Sequence, residues 1–241
     1  MKLKILSWNI AALPRLFNFF GNPSDRITGI IEYLKKTDAD IICLQEVFDE
    51  KILKRIISEM KKYTISYQEK KGKGFISSGL LILSKIPILR SKFEIFTESI
   101  GENSYAEKGV LVSRLASGDF HQKIYLLNTH LNANPMFTLS TLNPNVIRKS
   151  QLMTLTKLLT NKSDLYLICG DLNQSEKSEN FKYFIEKLQK KFNVKVFTKT
   201  KRDYFIICYN DNVKINVLNN PRPRTKNLSD HTPILETIEI N

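Results

Sequence analysis

LYLICGDLN, residues 165–173, decides how the rest of the chain is read. Five mostly apolar residues, a glycine, and two polar residues two positions apart describe a buried strand running out into a loop. Gly170 lets the backbone turn tightly or something approach it closely. Asp171 and Asn173 project together, since alternate residues of an extended chain share a face. A carboxylate and an amide so placed suit a hard cation or a phosphate oxygen. A Gly-Asp turn closed by an Asx hydrogen bond is the other reading of the same residues. Three other stretches end in the same way, and they favour the first.

The totals set the frame. A chain of 241 residues makes one large domain or two small ones, and 42% hydrophobic with 25% charged residues is ordinary for a soluble globular protein. The net charge of +13 is spread along a lysine-rich chain with only short basic runs, at 70–73 and 187–191. It still points to an anionic partner: nucleic acid, a phospholipid surface or a phosphorylated small molecule. Cys43, Cys169 and Cys208 sit in apolar runs without metal-ligand spacing, which predicts buried free thiols in a reducing compartment. The opening MKLKILSWNI does not have the form of a secretory signal, and no apolar run reaches membrane-spanning length. Asn173 lies in an Asn-Gln-Ser sequon whose glycosylation would block the site. The expectation is a soluble, cytoplasmic monomer.

Taken in order, residues 3–10 alternate as a strand that delivers Asn9. Residues 11–23 form an unusually apolar loop with Phe17, Phe19 and Phe20, read either as a satellite of the core or as an apolar lip. An amphipathic helix over 25–36 leads to a strand over 38–48 that ends in Gln45 and Glu46, and a second helix spans 50–62. A carboxylate at the margin of a core costs several kcal/mol unless it is paired or metal-bound. Strands follow at 79–84, 110–115 and 122–130, the last delivering His130. The loop 131–145 is too long for a mere connector. Helices over 146–159 and 178–191 flank the LYLICGDLN strand, and strands are read at 194–198, 202–208 and 234–240. Residues 210–226 are basic and proline-rich. No repeat or linker divides the chain, so one domain of strands with helices laid over them is expected, α+β or α/β in layers.

Asn9, Glu46, His130, Asp171 with Asn173, Asp203, and Asp230 with His231 all stand at strand ends, where sheets of this kind build sites. Carboxylates and amides without a His/Cys cluster suit Mg²⁺ or Mn²⁺ rather than Zn²⁺. A hard cation beside His and Asp is equipment for cutting a phosphoester, with a His–Asp pair to activate water. Serine catalysis by Ser229-Asp230-His231 is discounted, because neighbours in an extended segment point apart and no nucleophile elbow is present. His121 is read as a solvated bystander.

SWNI, LQEV, NTHL, GDLN, RDYF and SDHTP, in this order over nearly the whole chain, resemble the endonuclease/exonuclease/phosphatase superfamily. The resemblance implies a four-layered αββα sandwich of two mixed β-sheets flanked by helices, in a single domain over 1–241, with the site at one end. It implies that Glu46, helped by Asn9, binds Mg²⁺, with Asp230 supporting the metal or its network. His130 would hold or polarise the phosphate. Asp171 and Asn173 would position water and stabilise the transition state, and His231, oriented by Asp203, would be the general base. Which of Asp171 and His231 takes the proton stays open.

Within the superfamily the match tilts toward the neutral sphingomyelinases. It rests on the run from Leu13 through DRITGIIEYL to LQEVFDE, on Glu107-Lys108-Gly109, and on Arg148 with Gln151-Leu152. Lys108 and Arg148 are candidates for substrate binding, Lys108 with a solvated lysine as the alternative. Secreted members carry a signal and an aromatic membrane hairpin, whereas residues 210–227 here are short, with Tyr209 at their edge. Membrane contact would then fall to Phe17, Phe19, Phe20, Met136 and Phe137. The leading expectation is a Mg²⁺-dependent phosphodiesterase that cleaves a phospholipid headgroup at a membrane surface. The alternatives are a Mg²⁺-dependent nuclease acting on DNA or RNA, an inositol-phosphate phosphatase, and a silent binding module.

Overall fold

The computed structural model describes residues 1–13, 22–69, 76–134, 143–198, 200–218, 220, 225 and 227–241. Two six-stranded sheets are each organised about one parallel pair. In the first, β1 (Lys2–Ala12) and β2 (Ile41–Val47) are joined by helix α1 (Pro23–Thr37). In the second, β7 (Ile124–His130) and β8 (Leu165–Asp171) are joined by helix α3 (Pro144–Leu158). A parallel pair needs a crossover that returns over the sheet, and a helix supplies it in both cases.

Antiparallel strands extend each pair. The first sheet adds Thr64–Tyr67 (β3), Leu81–Ser84 (β4), Ile215–Leu218 (β11) and Ile234–Ile240 (β12), in the order β11-β12-β1-β2-β4-β3. The second adds Ile88–Ile95 (β5), Gly109–Leu115 (β6), Asn193–Phe197 (β9) and Asp203–Tyr209 (β10), in the order β5-β6-β7-β8-β10-β9.

The sheets face each other across a core that includes Ile5, Ile41, Leu126, Leu167 and Phe205. On the outside of the first sheet, Ile30 of α1 and Ile56 of α2 (Glu50–Glu59) pack with Leu6 and Ile42. On the outside of the second, Leu155 of α3 and Phe184 of α4 (Glu179–Gln189) pack with Leu127, Ile168 and Ile206. This is the four-layered sandwich of two mixed sheets that the sequence led us to expect. Because the central strands are buried on both faces, IICL and LYLIC run apolar without alternation. Helix α1 begins where Asn22 accepts the Ser24 N–H at 3.2 Å, with Pro23 in its first turn.

Three strands were not legible in the sequence. β3, β5 and β11 each leave at least half of their residues exposed, so no apolar run marks them, and β11 lies inside the basic 210–226 segment. β1 continues beyond its expected end to Ala12, through a register shift after Asn9. The three cysteines are free and buried. Among the described residues no helix is long and apolar enough to cross a membrane. Phe17, Phe19, Phe20, Met136 and Phe137, the candidates for membrane contact, lie outside the described residues.

Candidate active site

The carboxyl ends of the four parallel strands converge, bringing Asn9, Glu46, His130 and Asp171 together. Their antiparallel neighbours begin where these strands end. Asp203 starts β10 directly opposite Asp171, and β12 starts opposite Ser7, so the preceding loop carries His231 over the same edge.

Asn9 ties the sheets together. Its amide donates to Glu46 Oε1 at 3.0 Å and to Asp171 Oδ2 at 3.2 Å, while its oxygen accepts the Ala11 N–H at 3.0 Å. Burial raises the Glu46 carboxyl above its ordinary range, against the opposing pull of the Asn9 hydrogen bond and the Lys108 charge. Burial, followed by the like charge of Asp203, pushes Asp171 up to about 7, and His231 opposes this. Two buried carboxyls held this way want a cation.

His130 Nε2 lies 3.8 Å from Glu46 Oε1 and 3.8 Å from Asp171 Oδ2. Its Nδ1 is buried and has no hydrogen-bond partner among the described residues. Burial, then the positive charges of Lys108, His231 and Arg202, keep the ring well below the usual imidazole range, hence neutral. Lys108 is not solvated: it is 5% exposed, reaches the Leu131 carbonyl at 3.4 Å, and burial brings it down to about 8 against the attraction of Glu46 and Asp171.

His231 and Asp203 form a dyad. Nδ1 lies 2.8 Å from Asp203 Oδ2 and 3.1 Å from Oδ1, and Nε2 turns to Asp171 Oδ2 at 3.7 Å. Burial alone would lower the imidazole, but the hydrogen bond and charge of Asp203, with Asp171 and Asp230, outweigh it and raise it to about 9. Thr200 donates to Asp203 Oδ2 at 2.6 Å. Three contacts sew the loop to β1: Trp8 Nε1 donates to the His231 carbonyl at 2.9 Å, Ser229 Oγ donates to the Asn9 carbonyl at 2.7 Å, and His231 N donates to Ser229 Oγ at 3.1 Å. Ser229 is thus a strut in this loop.

The remaining candidates are placed differently. Asn173 combines both readings of its stretch: its N–H closes a turn on Asp171 Oδ1 at 2.9 Å, and its amide donates to the Leu131 carbonyl at 3.1 Å. Asp230 is exposed and touches Ser229 Oγ at 3.4 Å, so it reaches the cluster by charge. Arg148 is buried and spends its guanidinium on the Asn132 carbonyl at 3.1 Å, Asn134 Oδ1 at 2.9 Å and Asn145 Oδ1 at 2.7 Å, holding the segment after His130. His121 is exposed. Sequence reasoning missed Arg26, which donates to the Ile10 carbonyl at 3.1 Å, the Ala11 carbonyl at 2.7 Å and the Leu228 carbonyl, locking the backbone beneath Asn9 to the His231 loop. It also missed the bond from Gln45 Nε2 to Asn128 Oδ1, 2.8 Å across the sheets. An arginine beside Ile27 and four residues before Ile30, at the border of the apolar face of α1, was the available signal for the first; nothing marks the second.

The donor set fits a hard divalent cation. Glu46 and Asp171 offer buried oxygens, and the Asn9 amide spans them. Asp171, Asp203 and His231 also present ligand atoms within 4.8 Å of one another. Asp203, however, is already committed to His231 and Thr200.

The description "Endonuclease/Exonuclease/phosphatase family" matches residues 6–189. Sphingomyelinase C of Bacillus cereus is 25% identical over 193 residues, covering 71% of this chain and 56% of the relative, so the chain spans about half of that protein's length. The crystal structure of sphingomyelinase C from Streptomyces griseocarneus has a TM-score of 0.76 at 16% identity, covering 98% of this chain and 99% of the other. A double mutant of beta toxin from Staphylococcus aureus with bound magnesium ions has a TM-score of 0.75 at 17% identity, with the same coverage of 98% and 99%. By a family match over residues 6–189, with the fold of these solved structures in place, the chain belongs to the endonuclease/exonuclease/phosphatase family.

Proposed function

We propose that this chain is a Mg²⁺-dependent phosphodiesterase of the sphingomyelinase type, which hydrolyses the phosphoester linking a headgroup to a lipid. One observation carries the reading: Asn9, Glu46, His130, Asp171 and the His231–Asp203 dyad converge from both sheets on one edge. The sequence relationship to sphingomyelinase C supports the lipid substrate.

Glu46, Asn9 and Asp171 would hold Mg²⁺. When bound, it polarises a phosphoryl oxygen, offsets the buried carboxylates and loosens the proton on His231. Neutral His130 donates an N–H to a second phosphoryl oxygen, and buried Lys108 adds positive charge nearby. His231 Nε2 takes the proton of the attacking water, and Asp203 fixes the tautomer that leaves Nε2 free to accept it. The water oxygen bonds to phosphorus as the bond to the leaving alcohol oxygen breaks; that oxygen takes a proton from solvent water, and His231 returns its proton to solvent. Asp171 and Asn173 orient the water and the developing charge.

The test is phosphocholine release from sphingomyelin in mixed micelles, with Mg²⁺ and with EDTA. The wild type is expected to turn over only with Mg²⁺, and Glu46→Gln to lose activity and metal affinity together. Equal turnover in EDTA overturns the reading. The net charge of +13 favours a second substrate class, nucleic acid cut by the same residues, and parallel assays on DNA and RNA separate the two.

A further inference from the structure

We propose a second anion site, on the outer face of the second sheet and remote from the catalytic edge, which takes a phosphate-bearing ligand. α3 and α4 cover the β7–β8–β10 part of this face. Beside the last turn of α3, a groove of about 480 Å³ is left open over β5 and β6. Arg90, Lys92, Arg114 and Lys157 line it, and the one carboxylate lining it, Glu94, is paired with Lys92 at 3.3 Å.

The geometry is unusual because Arg90 and Arg114 stand directly opposite each other on paired strands. Like charges in that position destabilise a sheet, and neither arginine has a carboxylate partner in an ion pair among the described residues. Arg114 Nε is buried without a hydrogen-bond acceptor. Lysine-for-charge drift does not account for the pair, since the chain holds only nine arginines among its 37 basic residues. The floor is rigid: Tyr125 lies opposite Arg114 and stacks on Tyr166 with centroids 5.4 Å apart. Lys157, in the last turn of α3, offsets the negative end of that helix. An anion with several oxygens would accept from both guanidinium forks and relieve their repulsion.

Arg114 lies opposite Tyr125, five residues before His130, so the groove is roughly 17 Å along the strands from the catalytic edge. The phosphate held there is therefore not the scissile phosphoester. The recognised chemistry is a clustered phosphate, borne either by a soluble compound or by an anionic lipid headgroup.

The full chain would be titrated with inorganic pyrophosphate in metal-free buffer, followed by calorimetry and by thermal shift. Vesicles of phosphatidylcholine with phosphatidic acid would be tested in parallel by co-sedimentation. Arg90→Gln/Arg114→Gln is compared with Lys36→Gln/Lys61→Gln, which removes equal charge elsewhere. The expected result is that the arginine variant loses one class of pyrophosphate binding, at least about ten-fold in affinity, while the lysine variant and Mg²⁺-dependent turnover of a soluble phosphodiester are unchanged. The arginine variant should also melt no lower than wild type in anion-free buffer, because a repulsion has been removed. Loss of vesicle binding alongside pyrophosphate binding identifies the lipid source, and loss of pyrophosphate binding alone the soluble one. Equal effects of the two variants, or none from the arginine variant, overturn the proposal. Should the double variant misfold, exposed Arg90→Gln alone decides by the same readouts.

Discussion

Ala11, Glu46 and Asn173 hold left-handed backbone, with φ of 49°, 57° and 48°, and none is a glycine. Such conformations cost about 1 kcal/mol or more each, and they persist where the surroundings over-determine them. Here the surroundings are the Asn9 hydrogen bonds, the Arg26 clamp and the turn closed on Asp171. The strain is therefore spent on aiming Glu46 at the cluster and on closing the turn that fixes Asp171, before any ligand arrives. Two predictions belong to single residues. His231→Ala should lower kcat at least about 10³-fold with no loss of Mg²⁺ affinity, read by steady-state kinetics and metal titration. Asp203→Asn should lower kcat about 10²-fold or more with little change in KM, because the imidazole is freed to take the wrong tautomer. Near-full activity in either variant would remove the dyad from the mechanism.

At the scale of elements, the site is the meeting of two βαβ units, β1-α1-β2 and β7-α3-β8, one from each sheet. Gly170 shows how tightly the second unit is drawn together. A Cβ there would sit 2.1 Å from the Thr129 carbonyl oxygen on the neighbouring strand. Gly170→Ala should destabilise the fold by about 2 kcal/mol or more, measured by urea denaturation, and displace Asp171 with it. Within these units β2 and β8 were legible because burial on both faces writes uninterrupted apolar runs, each ending abruptly in polar residues, and β1 because its residues alternate up to Asn9. Edge strands β3, β5 and β11 were not, since a strand that buries so little leaves no such signature. Lys108 and Arg148 mark the same limit among side chains. Sequence names both as cations near the site, but only packing decides that Lys108 is buried where the charges of Glu46 and Asp171 act on it while Arg148 holds a loop.

For the molecule as a whole, the buried cluster links stability to pH. The Asp171 carboxyl is raised from 3.8 to about 7 and His231 from 6.5 to about 9, so the metal-free folded chain keeps protons that the unfolded chain releases. The stability tied to Asp171 is full below its unfolded value and is lost as pH rises through about 7. That tied to His231 is full below 6.5 and fades toward about 9. Lys108, lowered to about 8, acts in the opposite sense only above that value. In EDTA the melting temperature should therefore fall between about pH 6.5 and pH 8, and the gain on adding Mg²⁺ should grow over the same interval. A flat profile would mean that His231 and Asp171 do not carry this load. The central claim, that the cluster cuts phosphoesters of lipids with Mg²⁺, is tested most directly by one side-by-side turnover assay. It compares sphingomyelin in mixed micelles with abasic and single-stranded DNA and with RNA, using Asp171→Ala as the blank. The account predicts Mg²⁺-dependent turnover of the lipid that the Asp171→Ala variant lacks. Cutting of nucleic acid alone, or lipid turnover that survives in that variant, would contradict it.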